Sequence, residues 1–167
     1  MKSNEVVLSR PDIASVVAYR RNGPLDDTEI VLVREFRTPG SVDDGFVREL
    51  PSGSSFAGMT DPRSVAVNEL REETGLAVDP ERLRQHHARQ VAATVSTHRA
   101  HLFSLELTDP EAERLRSDAA AHGKAADSEH TYVEVVRLTD MMACSRVDWS
   151  TLGAVLEALL GVPHAIT

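Results

Sequence analysis

Short β-branched apolar runs alternate with turn-forming residues along the first fifty positions. Ile13-Ala-Ser-Val-Val-Ala-Tyr19 predicts a strand. Asn22-Gly23-Pro24 predicts a turn, and Asp26-Asp27 an exposed loop. Ile30-Val-Leu-Val33 continues into Arg34-Glu-Phe-Arg37 and predicts a second strand, antiparallel to the first. Thr38-Pro39-Gly40 ends it. Phe46-Val-Arg-Glu-Leu50 predicts a third, short strand, stopped by Pro51-Ser52-Gly53.

The spacing then becomes helical. Asp61 supplies an N-cap acceptor, Pro62 fits the first helical position, and Gly75 fits the C-terminal cap. Between these caps Ala66, Val67, Leu70 and Thr74 share one side. At about 100° per residue, Glu69, Glu72 and Glu73 fall together on another. Val91–Val95 and Ala100–Leu107 predict further strands. Asp109–Glu129 is alanine-rich and charged, with Gly123 inside it. It reads either as a short helix or as a long connection. Tyr132–Leu138 alternates as a strand does. Trp149–Leu160 predicts a closing helix with Leu152, Val155, Leu156, Leu159 and Leu160 as its apolar stripe. No repeat or linker interrupts the chain, so residues 1–167 predict one domain. Its class is α+β, an α/β/α sandwich on a mixed sheet.

Composition narrows the function. A chain of 167 residues can bury a proper core, and 41% hydrophobic with 26% charged residues is ordinary globular usage. The net charge of -8 argues against a general nucleic-acid or membrane-surface binder, because both require a basic face. The single cysteine, Cys144, excludes an internal disulfide and fits a reducing compartment; it reads as an inert thiol. The first residues lack an apolar signal core, and no run reaches about 18 apolar residues. A cytoplasmic location is the expectation.

Three glutamates on one helical side repel each other by a few tenths of a kcal/mol per pair. A hard divalent cation, Mg²⁺ or Mn²⁺, would reverse that repulsion, because both favour carboxylate oxygens. The plain alternative is a solvated acidic helix face. The flanking sequence changes the balance. Leu50-Pro-Ser-Gly53 followed by Asn68-Glu-Leu-Arg-Glu-Glu-Thr-Gly-Leu76 resembles the Nudix box, a loop-helix-loop that binds divalent metal and cleaves nucleoside diphosphates linked to another group. Val31–Arg37, Arg48–Gly53, Ser96–Phe103 and Glu134–Leu138 resemble flanking segments of the ADP-ribose and nucleotide-sugar pyrophosphatases in that family.

Two departures come as a pair. The spacing from Gly53 is one residue longer than the family pattern, and Met59 or Thr60 stands where its first glutamate would be. Asn68 stands where its arginine would be. Those two family residues brace the loop by an ion pair. Losing both partners is the inexpensive case, since no buried charge is stranded.

The resemblance implies a Nudix-like fold and assigns roles. Glu69 and Glu73 would be the main metal ligands, with Glu72 a further ligand and part of the catalytic group, and the backbone carbonyl of Ser52 another. The general base would come from an acidic loop holding Asp118, Asp127 and Glu129, with Glu129 preferred. Arg37 and Arg48 could clamp phosphate or ribose, and Glu49 could accept from a base or ribose hydroxyl; each could equally be a surface ion pair. Phe36, Phe46 and Tyr132 are the candidates for stacking on a base. His98, Arg99 and His101 follow Ser96-Thr97 where the family loop often carries an acid. The expected partner is a small nucleoside diphosphate derivative, and a homodimer is compatible with the resemblance. Two readings stay open: a metal-dependent pyrophosphatase, or a Nudix-fold binding or sensor protein that has lost turnover.

Overall fold

The computed structural model describes residues 6–38, 40, 42–54, 61–123 and 130–161. Strand β1 (Ile13–Arg20) forms because its residues are apolar on both sides of the alternation, as a central strand requires: all six residues from Ala14 to Tyr19 are buried. Strand β2 (Glu29–Phe36) has the same character. The hairpin between them is antiparallel, as the sequence predicts, but its pairing covers only Tyr19↔Ile30 and Arg20↔Glu29. Beyond those pairs the two strands separate. β3 (Phe46–Glu49) pairs with β2, and β4 (Ser52–Gly53) pairs with β1. Residues 46–53 therefore fill the fork between the first two strands.

The remaining strands are β5 (Arg84–Gln85), β6 (Arg89–Gln90), β7 (Arg99–Glu106), β8 (Ala121–His122) and β9 (Thr131–Arg137). Among the described residues the sheet runs β5-β7-β1-β2-β9-β8, and β6 also pairs with β7. Only the β1–β7 pairing between these strands is parallel, so the sheet is mixed and the fold is α+β. Helices α1 (Pro62–Thr74) and α2 (Asp109–Ser117) cover one face, where Val16, Val31 and Phe103 meet Ala66, Leu70 and Leu115. Helices α3 (Leu138–Met142) and α4 (Trp149–Leu160) cover the other, where Val17, Ile30 and Leu102 meet Met141, Val155 and Leu159.

Two expectations change, at Val91–Val95 and on the α4 stripe, and the open reading of Asp109–Glu129 resolves to its helical alternative. Val91–Val95 is a turn rather than a strand: the N–H groups of Val95 and Ser96 both donate to the Ala92 carbonyl, and Val95 is exposed. The pairing with β7 comes instead from Arg89–Gln90, polar residues suited to a sheet rim. Asp109–Glu129 begins as a true helix, α2, with Glu111 accepting from the Thr108 N–H at 2.8 Å, and then forms β8. The stripe on α4 is displaced: Thr151, Val155, Ala158 and Leu159 are buried, while Leu156 and Leu160 face solvent. No helix among the described residues is long and apolar enough to cross a membrane.

Candidate active site

Helix α1 delivers the glutamates, and its ends are fixed locally. The Asp61 side chain accepts from the Ser64 N–H, and Gly75 closes the helix in the left-handed conformation at φ 66°. Val65, Ala66, Leu70 and Thr74 hold the helix to the sheet. Val65 replaces Val67 as the most buried valine, a small rotation from the expected stripe. The opposite rim leaves Asn68 exposed, so the position carries no stranded charge.

Two of the glutamates lie against the β4 strand. Ser52 N–H donates to a Glu73 carboxylate oxygen at 3.0 Å. The Glu69 carboxyl group sits so close to Gly53 that a Cβ there would lie 2.4–2.5 Å from its atoms. Gly53 thus leaves room for the Glu69 carboxylate to lie against the strand, without any unusual backbone angle. Glu72 differs: its carbonyl accepts from the Gly123 N–H at 3.0 Å, and the Glu73 carbonyl accepts from Thr131 Oγ1 at 3.2 Å. Both contacts tie the last turn of α1 to the segment around β8 and β9.

Behind these carboxylates lies a second acidic layer. Glu35 and Glu49 project to the α1 side, in step with Val31 and Val33. Arg37 joins them: its Nη2 is 2.9 Å from Glu35, and its Nε and Nη2 donate to Glu49 at 3.2 and 3.0 Å. Glu35 is only 6% exposed. Burial pushes the Glu73 carboxyl well above its ordinary value, and the neighbouring charges of Glu69 and Glu35 push the same way; the Ser52 N–H and Arg37 oppose them. Burial also works against charge on Arg37, but the Glu49 and Glu35 carboxylates prevail and hold it above its ordinary value.

Arg48 is separated from this group. It lies on the opposite sheet face with Arg34, Glu134 and Tyr132. Its Nε donates to Glu134, and its Nη1 is 2.9 Å from Cys144 Sγ. Arg34 sits between the rings of Phe46 and Tyr132 at 4.6 and 4.8 Å, and Phe36 meets Phe46 edge-on. The candidate aromatic residues thus form a platform away from the glutamates. Asp118 pairs with His122 at 3.0 Å. A hydrogen bond from the Ala120 N–H, with help from His122, keeps its carboxyl below the usual value. His98 bonds Ser96, and burial lowers its pKa. His101 faces Asp12 at 3.3 Å. Glu129 and Asp127, and Met59 and Thr60, lie outside the described residues.

The structure therefore brings together Glu69, Glu73, Ser52, Gly53, Arg37 and Glu49, leaves Arg48 on the other face, and adds Glu35. Sequence held a sign of Glu35: it is a charged residue that continues the inward parity of Val31 and Val33. Among the described residues, no group of three or more His, Cys, Asp or Glu side chains is gathered tightly enough to hold a metal ion by itself. Glu69 and Glu73 supply hard oxygen donors beside the β4 strand. This suits a Mg²⁺ ion held by one or two carboxylates and completed by water and substrate phosphates. No protein-family model matches the chain, and no curated protein matches it.

Proposed function

We propose that the chain is a divalent-metal-dependent hydrolase of the Nudix type, cleaving the diphosphate of ADP-ribose or a related nucleoside-diphosphate sugar. The observation that carries this reading is the packing of Glu73 and Glu69 onto Ser52 and Gly53, which concentrates negative charge beside a backbone strand. An acidic surface serving only solubility would leave its carboxylates in water. Here one is buried far enough to be driven toward its protonated form, a state that a bound cation would relieve.

In the reaction a water oxygen bonds to one phosphorus as the bridging P–O bond breaks, and two monophosphates leave. Glu69 and Glu73 would hold Mg²⁺ or Mn²⁺, with Glu72 and the Ser52 carbonyl as further donors. The ion supplies charge neutralisation and a more acidic water. Gly53 allows the Glu69 carboxylate its place, and the Ser52 N–H orients that of Glu73. Arg37 restrains Glu35 and Glu49 and limits the negative field that a diphosphate must enter. Glu129 is the proton acceptor that the resemblance assigns. Arg48 pairs with Glu134, which also meets Arg34 of the aromatic platform at 3.4 Å, so its role is to hold that face rather than the diphosphate.

Asn68 favours a second reading, a binding protein without turnover, because a brace of the family box is replaced. One panel assay separates the two. The protein is incubated with Mg²⁺ or Mn²⁺ and ADP-ribose, nucleotide sugars or dinucleoside polyphosphates, and monophosphate release is followed. Metal-dependent release that Glu73→Gln abolishes supports the hydrolase. Release unchanged in that variant removes the assignment of the site. Ligand binding without release supports the second reading.

A further inference from the structure

The turn between β1 and β2 holds a reactive pair. Residues 21–24 are all exposed, and the chain's three asparagines stand at positions 4, 22 and 68. Of these only Asn22 is followed by glycine. An asparagine side chain closes into a five-membered ring when the next backbone nitrogen attacks its carbonyl carbon. Closure needs a nitrogen that is not already engaged, an amide that is not held, and no side chain crowding the ring. Asn22-Gly23 meets all three. No hydrogen bond among the described residues uses the Gly23 N–H or the Asn22 side chain. Gly23 has φ 83°, which glycine adopts without steric cost, and a Cβ built there would meet nothing within 4 Å. The ring and the water that opens it both have room.

Two other positions show what closes such a route. Asp44-Gly45 pairs a side chain of the same length with a positive-φ glycine, at φ 72°. There the Gly45 N–H donates to the Val42 carbonyl at 3.1 Å. The Asp44 carboxylate accepts from the Phe46 N–H at 3.1 Å and from Arg146 at 2.7 Å. Attacking and attacked groups are both held. At Asn68 the following N–H, that of Glu69, belongs to the hydrogen-bond ladder inside α1, and Glu69 carries a long side chain.

We propose that Asn22 is a site of self-modification in the folded protein, converted through a cyclic imide with Gly23 to aspartate and isoaspartate. The Gly23 nitrogen bonds to the Asn22 side-chain carbonyl carbon, the bond from that carbon to its amide nitrogen breaks, and ammonia leaves with the Gly23 proton. Water then adds to one ring carbonyl and breaks its bond to the Gly23 nitrogen, which regains a proton. Opening at the side-chain carbonyl restores the ordinary backbone. Opening at the main-chain carbonyl routes the backbone through the side chain and lengthens it by one carbon. Water is the only co-reactant. Either product adds one negative charge to the chain's -8, beside Arg20 and Arg21. The change lies just outside Tyr19↔Ile30 and Arg20↔Glu29, the two pairs that close the hairpin, in exposed chain that tolerates added length.

The parent, Asn22→Gln and Asp44→Asn are incubated in mildly alkaline buffer, with circular dichroism to follow folding. Peptide mapping by mass spectrometry reads amide loss at each position, and an isoaspartyl methyltransferase with labelled methyl donor reads isoaspartate. The folded parent is expected to lose the amide at position 22 and keep that at position 68, with isoaspartate appearing as the amide is lost. Asn22→Gln, which cannot form the five-membered ring, loses the methyl-accepting signal. Asp44→Asn creates a second asparagine–glycine pair, and in the folded protein position 44 keeps its amide while position 22 loses its own; in urea the two react alike. An amide retained at position 22, or lost first at position 68, overturns the proposal. Aspartate without isoaspartate also overturns it, because that product comes from direct hydrolysis rather than from a ring. Amide loss at position 44 as fast as at position 22 in the folded variant overturns the structural basis. Should that variant fail to fold, the comparison of positions 22 and 68 in the parent decides.

Discussion

At Glu73 burial and neighbouring charge act in the same direction. The folded protein holds its carboxyl proton more tightly than the unfolded chain, whose value is the ordinary 4.5. Below 4.5 both states carry the proton and Glu73 exerts no penalty. As pH rises past that value the unfolded chain releases its proton first, so folding loses stability until the raised value is passed. Replacing Glu73 with Gln keeps an acceptor for the Ser52 N–H and removes the charge. The metal-free variant is therefore expected to melt higher than the parent near neutral pH. A gain of about 2–4 °C corresponds to ~1 kcal/mol in a domain of this size. The advantage should disappear in acid, and thermal melts across pH would reveal its absence or its reversal. At Gly53 the forecast is the opposite: activity falls while the fold survives. A methyl group there displaces the flexible end of Glu69 rather than any backbone. Gly53→Ala should melt within about 2 °C of the parent, as a strand glycine without positive φ allows. Its hydrolysis rate should fall at least about tenfold, the effect typical of disturbing how a ligand is oriented. Sequence pointed to Glu69, Glu73 and Ser52 but gave no sign that Gly53 serves Glu69, because that contact joins two elements distant along the chain.

Among the elements, α1 was legible because its caps, proline and apolar spacing agree. Asp61→Ala removes the bond to Ser64 N–H and should cost about 1 kcal/mol in chemical denaturation, leaving metal affinity nearly unchanged. A loss of metal affinity as large as that from Glu73→Gln would mean that the cap itself shapes the site. Residues 91–95 misled for a physical reason. Their composition suits a strand, but the Ala92 carbonyl accepts two N–H groups and closes a turn before β7. The stripe on α4 could not be fixed from sequence because both sides of that helix are apolar. Only the sheet decides which side it covers. Arg48 and Glu49 show the same limit in a strand: adjacent in sequence, they face opposite sides of the sheet, and only the register with β2 reveals which one shares a face with Arg37.

The whole molecule positions its site through the fork in the sheet. β1 and β2 part after two residue pairs, and the chain from Phe46 to Gly53 fills the gap, ending where α1 presents Glu69 and Glu73. The mixed sheet with helices on both faces follows from strands that are apolar on both sides, and this much the pattern of residues made plain. The division of the polar residues into an acidic group under α1 and an aromatic–arginine platform on the far face did not follow from the pattern, because it depends on long-range register. The central claim is that Glu69 and Glu73 hold a divalent cation against a diphosphate. Electron paramagnetic resonance of Mn²⁺, titrated into the protein with the non-hydrolysable α,β-methylene analogue of ADP-ribose, tests it most directly. The account predicts stoichiometric bound Mn²⁺ in the parent and an affinity about 10–100-fold weaker in Glu73→Gln. Equal binding by the two proteins, or Mn²⁺ that remains free in both, would contradict it.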